Sequence, residues 1–85
     1  MRHVTPARLA ELEPLLGRIR DLDDLVEKKT GVFYRKSRAF LHFHEDGDRT
    51  FADVRLDGAV FSRLPATTAR QQDTLIRKIT RALRT

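Results

Sequence analysis

Cysteine and tryptophan are absent from this sequence, and proline, glycine and methionine are scarce, with three, four and one residues. Without cysteine the chain has no disulfide framework and no thiolate zinc site, which fits a reducing compartment such as the cytoplasm. No apolar run approaches the roughly 18 residues of a transmembrane helix, and the first residues lack the apolar segment of a signal peptide. The sequence therefore predicts a cytoplasmic protein that does not contact a membrane.

The length of 85 residues indicates a single domain over residues 1–85 with a thin hydrophobic core. The formal net charge of +5 permits contact with an anionic partner. A modest excess of arginine also keeps a protein soluble without any such partner, so the charge alone does not assign a function.

Helical periodicity occurs at both ends of the chain. A helix is predicted over residues 6–20, with Thr5 as its N-cap. Pro14 lies inside this helix and predicts a kink or a fresh start, because its missing N–H removes a helical hydrogen bond. Near the other end, Thr68 and Gln71 form a capping box ahead of the final helix. The apolar residues of the two helical faces are Leu9, Leu12, Leu16, Ile19, Leu75, Ile76, Ile79, Ala82 and Leu83.

Between residues 31 and 64 the apolar residues alternate with a period of two, which predicts four β-strands. A two-residue turn at Gly47-Asp48 sets the register of the central hairpin. The predicted cross-strand pairs are Asp46–Arg49, Phe43–Ala52, Leu41–Val54 and Ala39–Leu56. A second two-residue turn is predicted at Asp57-Gly58, because this dipeptide is a strong hairpin signal. Its predicted pairs are Leu56–Ala59, Arg55–Val60 and Val54–Phe61.

The predicted fold class is α+β, a two-layer α/β sandwich in which a helix, a four-stranded antiparallel meander and a second helix follow one another. Both amphipathic helices are expected on one face of the sheet, because each has a single apolar stripe to bury. The residues expected on the covered face are Val32, Tyr34, Ala39, Leu41, Phe43, Ala52, Val54, Leu56, Ala59 and Phe61.

The opposite, open face of the predicted sheet contains an apolar patch that soluble monomers rarely leave bare. This pattern predicts a surface for a protein partner, with a second copy of the chain as one candidate. Strong sheet twist, or cover by loops and termini, is the alternative. The residues expected on this partner surface are Phe33, Phe40, His42, His44, Phe51, Asp53, Arg55, Val60 and Leu64.

A polar row on the same open face contains His42 opposite Asp53, and Asp53 opposite Ser62. A hydrolase triad needs histidine between the acid and the serine, so this order argues against nucleophilic catalysis. The pair His42 and His44, with Asp53 as a third ligand, is instead a candidate metal site. A plain histidine–aspartate pair across two strands explains the same residues without a metal.

The final helix has a basic face that suggests nucleic-acid binding, since arginine side chains can lie along phosphates. Acidic groups at residues 21–24 and 45–48 oppose this interpretation, and a charged helix face is usually only solvated. The candidate nucleic-acid residues are Arg70, Arg77, Lys78, Arg81 and Arg84.

The run from Leu25 to Asp46 contains Val26-Glu27, a β-prone Val32-Phe33-Tyr34, a basic turn and the segment Phe40-Leu41-His42-Phe43-His44. It resembles small bacterial domains of the YdhG/YjbR type, which have a frataxin-like (CyaY-like) fold. The resemblance covers roughly residues 9–56 and implies an α, antiparallel sheet, α sandwich. It supplies no named catalytic residues.

These observations lead to the hypothesis of a small, non-enzymatic binding domain of unknown biological role that needs no cofactor and uses the open face of its sheet. Nucleic-acid binding through the final helix is the first alternative. Metal binding at His42, His44 and Asp53 is the second.

Overall fold

The computed structural model describes residues 1–84, which form an α+β domain of one antiparallel sheet and three helices. The strands β2 to β6 are neighbours in chain order, and the short β1 pairs with β4. The elements are β1 (Arg2–His3), α1 (Pro6–Glu11), α2 (Glu13–Arg20), β2 (Val26–Lys29), β3 (Val32–Arg35), β4 (Arg38–Asp46), β5 (Arg49–Val54), β6 (Ser62–Pro65) and α3 (Ala69–Leu83). The predicted four-stranded meander is therefore incomplete, because the sheet gains β1 and β2.

The predicted first helix is divided into α1 and α2, with Leu12 between them. The Thr5 hydroxyl accepts a hydrogen bond from the Arg8 N–H, as an N-cap should. Pro14 lies in the first turn of α2, where its missing N–H costs no hydrogen bond. Of the two effects predicted for Pro14, a kink or a fresh start, the structure has the fresh start, and the single helix over residues 6–20 does not form.

Strand β2 (Val26–Lys29) lies in a segment for which the sequence predicted no strand. Thr30 and Gly31 form the two-residue connection of a hairpin in which Lys29 pairs with Val32. Gly31 has a φ of +78°, and a Cβ at this position would lie 2.8 Å from Cδ2 of Leu9. Glycine adopts this backbone conformation without strain, and a larger residue would also require Leu9 to shift, so Gly31 favours the hairpin that adds β2 to the sheet.

The central hairpin β4–β5 has the predicted register. Asp46 pairs with Arg49, Phe43 with Ala52 and Leu41 with Val54. Gly47 has a positive φ of +62°, as a tight two-residue turn requires. The fourth predicted pair, Ala39 with Leu56, does not form, since β5 ends at Val54 and Ala39 pairs with Tyr34 on β3.

The predicted pairing after Asp57-Gly58 is wrong. Val54 pairs with Ser62, one residue beyond the predicted Phe61, and the seven residues 55–61 form a wide loop. The Asp57 carboxylate accepts hydrogen bonds from the N–H groups of Ala59 (2.8 Å) and Val60 (3.1 Å). These local bonds hold residues that a hairpin ladder would otherwise pair. Ala59, Val60 and Phe61 are consequently exposed loop residues.

Several side chains lie on other faces of the sheet than predicted, and for Phe33 the cause is a register shift between Phe33 and Tyr34 in the β3–β4 pairing. Phe33 pairs with Leu41 and is 1% exposed, so it belongs to the core and not to the open face. Leu64 pairs with Ala52 and packs against the same core. Phe40 is also buried. The helices and the sheet bury one continuous cluster, formed by Leu12, Leu15, Leu16, Ile19, Phe33, Phe40, Leu41, Phe43, Ala52, Val54, Ala66, Leu75 and Ile79.

The capping box of α3 is confirmed. The Thr68 hydroxyl accepts from the Gln71 N–H (3.1 Å), and the Gln71 side chain accepts from the Thr68 N–H (3.0 Å). Leu75 and Ile79 lie on the buried face of the helix. Among residues 1–84, no helix is both long and apolar enough to cross a membrane.

Candidate metal centre

Strand β1 places the N-terminal segment beside the end of β4. Arg2 pairs with Glu45 and His3 with His44. The buried Glu45 carboxylate accepts a hydrogen bond from the Thr5 N–H at 2.7 Å, and this bond holds the pKa of Glu45 below its usual range. The carboxylate of Glu45, the residue after His44, thus anchors β1 beside β4. This pairing places His3 against His44.

All three histidines of the chain meet at this point. The ring centroids of His3 and His44 are 4.6 Å apart, and those of His42 and His44 are 5.0 Å apart. One nitrogen from each of the three rings lies within 4.8 Å of the other two. His42 and His44 are half-buried, whereas His3 is exposed. We call these three residues the histidine cluster.

Asp53 lies beside the histidine cluster, opposite His42 on β5, and is only 7% exposed. Its Oδ2 is 3.1 Å from Nε2 of His44. Arg63 donates from Nε to Oδ1 (2.7 Å) and from Nη2 to Oδ2 (2.8 Å), which holds the pKa of Asp53 below its usual range. Asp53 is therefore an ionised carboxylate that already binds Arg63. The third nitrogen near His42 and His44 is supplied by His3 and not by an oxygen of Asp53.

The contact with Asp53 has a consequence for His44. When Nε2 of His44 donates its proton to Asp53, the Nδ1 atom is left with a free lone pair. A carboxylate that fixes the tautomer and orientation of a histidine in this way is a regular partner of metal-binding imidazoles. The pair Asp53 and Arg63 thus fixes the orientation of the His44 ring.

The surroundings of His42 favour the neutral form that a metal ligand must have. Burial lowers its pKa, and the neighbouring His44, His3 and Arg63 lower it further, against the opposing effect of Asp53. Its Nδ1 is buried and has no hydrogen-bond partner within residues 1–84. The ring of Phe61 packs edge-on against it, with centroids 5.0 Å apart.

Three imidazoles make a borderline-soft ligand set that suits Zn²⁺, Cu²⁺, Ni²⁺ and Co²⁺ better than Mg²⁺ or Ca²⁺. Zn–N bonds of about 2.0–2.1 Å place two nitrogens of a tetrahedral site about 3.3 Å apart. The three histidine nitrogens lie within 4.8 Å of one another, so they have to approach by up to about 1.5 Å to hold the ion. The side chain of His3 is exposed, so it can move toward the other two rings without leaving a buried position.

The predicted His42–Asp53–Ser62 row does not form. His42 does pair with Asp53, but Arg63 and not Ser62 lies opposite Asp53 on β6. Ser62 instead pairs with Val54 and is exposed. The same one-residue difference that widened the loop brought Arg63 to the carboxylate.

The predicted partner surface is also altered. Its phenylalanines Phe33 and Phe40 are buried in the core, and Phe51 is half-buried beneath the guanidinium of Arg49. Arg55 stacks on Phe61 at 4.4 Å from the ring centroid. Val60 is exposed by 63% but lies in the wide loop. The open face is thus polar at its centre, where the histidine cluster and Asp53 lie.

The candidate nucleic-acid residues Arg70, Arg77, Lys78, Arg81 and Arg84 are all exposed. Four of them lie in α3, and Arg84 is its C-cap residue.

His3 was missing from the sequence-based site. A two-residue strand has no periodicity, and its pairing depends on Glu45 and Thr5, which are about 40 residues apart in the chain. Comparison with family models, with curated proteins and with solved structures finds no significant match. The resemblance to YdhG/YjbR-type domains therefore stays a prediction.

Proposed function

We propose that this protein binds a divalent transition-metal ion through His3, His42 and His44. The observation that carries the proposal is the convergence of three imidazole nitrogens within 4.8 Å, drawn from two different strands. Metal binding was the second alternative at the level of sequence, with Asp53 as a ligand. In the present proposal His3 replaces Asp53, and Asp53 orients His44.

The proposed site has an open side. Three protein ligands leave at least one coordination position for water or another small ligand, as in zinc sites that are not purely structural. His3 is the exposed member of the three ligands, and the ring of Phe61 packs edge-on against His42. Selection among Zn²⁺, Cu²⁺ and Ni²⁺ then depends on availability and geometry more than on intrinsic affinity.

Calorimetric titration of the untagged protein with Zn²⁺, Ni²⁺ and Co²⁺ tests the proposal, since a polyhistidine tag would bind the same ions. We expect 1:1 binding, with the visible absorption bands of nitrogen-coordinated Co²⁺. His42→Gln should weaken binding by about a hundredfold or more, because it removes one of three ligands. Asp53→Asn should weaken binding by about 10- to 100-fold, because the orientation of His44 is lost.

The matched control is Asp23→Asn, which removes an exposed carboxylate from an acidic segment that lies against the end of α3. Its affinity should equal that of the unmodified protein. Absence of heat at micromolar protein and excess metal would end the proposal, and so would an unchanged affinity in a folded His42→Gln variant.

The earlier hypotheses lose or keep support as follows. The hypothesis that a protein partner or a second copy covers the sheet face loses Phe33, Phe40 and Leu64 as exposed contacts. Sedimentation measures the self-association that the second-copy version requires. Nucleic-acid binding keeps the exposed basic face of α3 as its support. The absence of enzymatic activity stays a prediction.

A further inference from the structure

A second site lies outside the histidine cluster, in a cavity of about 300 Å³ between the β3–β4 turn and the wide loop after β5. This volume is at the lower end of the range for small-molecule pockets. Four basic residues line it together with one acid. The basic residues are Arg35, Lys36, Arg38 and Arg55, and the acid is Asp57.

The backbone forces these basic groups together. Arg35 and Arg38 are direct cross-strand partners, joined by a two-residue turn in which Lys36 and Ser37 both have positive φ values of 50° and 68°. The Arg35 guanidinium donates to the carbonyls of Ala82 (3.3 Å) and Leu83 (3.4 Å) at the end of α3. Non-glycine residues at positive φ add strain, and such strain clusters at functional positions.

The acid that lines the cavity is engaged within its own loop. The carboxylate of Asp57 accepts from the N–H groups of Ala59 and Val60, which lie within its own loop. Arg38 donates to the Gly58 carbonyl at 2.9 Å and so ties the turn to the loop. The Nε atom of Arg55 is buried and has no hydrogen-bond partner in the described part of the chain. An unmet buried donor on a cation is costly, and an anion would satisfy it.

We propose that this cavity binds a small organic molecule through its phosphate group. Guanidinium groups match the geometry of phosphate with paired hydrogen bonds, and a doubly charged anion offsets the repulsion among several cations. Phe40, Ala39 and Leu56 form an apolar lining beside these cations, which suits the uncharged part of such a molecule. The proposal is independent of metal binding, since none of the three histidines lines this cavity.

NMR titration of the ¹⁵N-labelled protein in metal-free, phosphate-free buffer tests the site, with ribose 5-phosphate as probe and ribose as its uncharged counterpart. We expect saturable shifts for amides in residues 35–40 and 55–58 with ribose 5-phosphate and none with ribose. Arg55→Gln should weaken binding at least about tenfold. Arg38→Gln, at an exposed position that does not endanger folding, should weaken it in the same direction.

Arg81→Gln is the matched control, because it removes the same charge from exposed α3 and should leave the affinity unchanged. Equal weakening by Arg81→Gln and Arg38→Gln would overturn the proposal in favour of unspecific attraction. Shifts with ribose as large as with ribose 5-phosphate, or no saturable shift at all, would overturn it too. A ten-nucleotide single strand that binds more tightly than ribose 5-phosphate would assign the cavity to nucleic acid instead.

Discussion

The two connections that follow β4 and β5 are built in opposite ways. Gly47 and Asp48 close the first hairpin with two residues, and six cross-strand pairs follow without a break. The second connection takes residues 55–61, and the ladder after it has four pairs. A tight turn fixes which residues of the two strands face each other. In a wide loop the side chains can occupy positions that cross-strand pairing does not allow. Phe61 beside His42 and Arg55 beside the cationic cavity are two such side chains.

The largest difference between these regions should appear in stability. Phe43 on β4 is 2% exposed and lies in the central cluster, so Phe43→Ala should lower the free energy of unfolding by about 3–5 kcal/mol. Val60 in the wide loop is exposed, and Val60→Ala should change it by less than about 0.5 kcal/mol. Urea denaturation followed by circular dichroism measures both. Similar losses in the two variants would mean that the loop is part of the core.

A smaller difference is expected between the two turn glycines. Gly47 has a φ of +62° between two paired strands, and Gly47→Ala should cost about 1–2 kcal/mol because alanine is disfavoured in this conformation. Gly58 has a φ of +78° in the wide loop, where the neighbouring backbone can adjust, so Gly58→Ala should cost less than about 1 kcal/mol. Chemical denaturation gives both values. A larger cost at Gly58 would show that the loop is as rigid as the hairpin.

The smallest effect concerns acid sensitivity of the loop. Hydrogen bonds from Ala59 and Val60 hold the pKa of Asp57 below its usual value of about 3.8. A carboxyl group with a lowered pKa in the folded state stabilises the fold above pH 3.8, and this contribution is lost as the pH falls through the lower value. Asp57→Asn keeps an acceptor oxygen but cannot titrate.

Thermal unfolding between pH 6 and pH 2.5 measures this contribution. The Asp57→Asn variant should lose less stability than the unmodified protein over that range. An identical decline in the two proteins would place the acid sensitivity in other carboxylates, such as Glu27, whose pKa is lowered by its hydrogen bond to Arg20.

The candidate site was only partly accessible from the sequence. His42, His44 and Asp53 follow from the alternation along β4 and β5, and the structure brings them together. His3 and Arg63 were missed for two different physical reasons. His3 reaches the site because the Thr5 N–H donates a hydrogen bond to the Glu45 carboxylate, which holds β1 beside β4. Arg63 reaches the site because the loop before β6 is wider than the dipeptide Asp57-Gly58 indicated.

The sequence by itself determined the features that depend on neighbours within a few residues. These are the break at Pro14, the capping box at Thr68 and Gln71, and the register set by Gly47. Short-range sterics and hydrogen bonds decide each of them, so local patterns suffice. Only the tertiary structure decided that β1 and β2 join the sheet, that Phe33 lies in the core, and that three histidines meet. These outcomes depend on long-range pairing and burial, where energies from distant residues compete with local preference and override it.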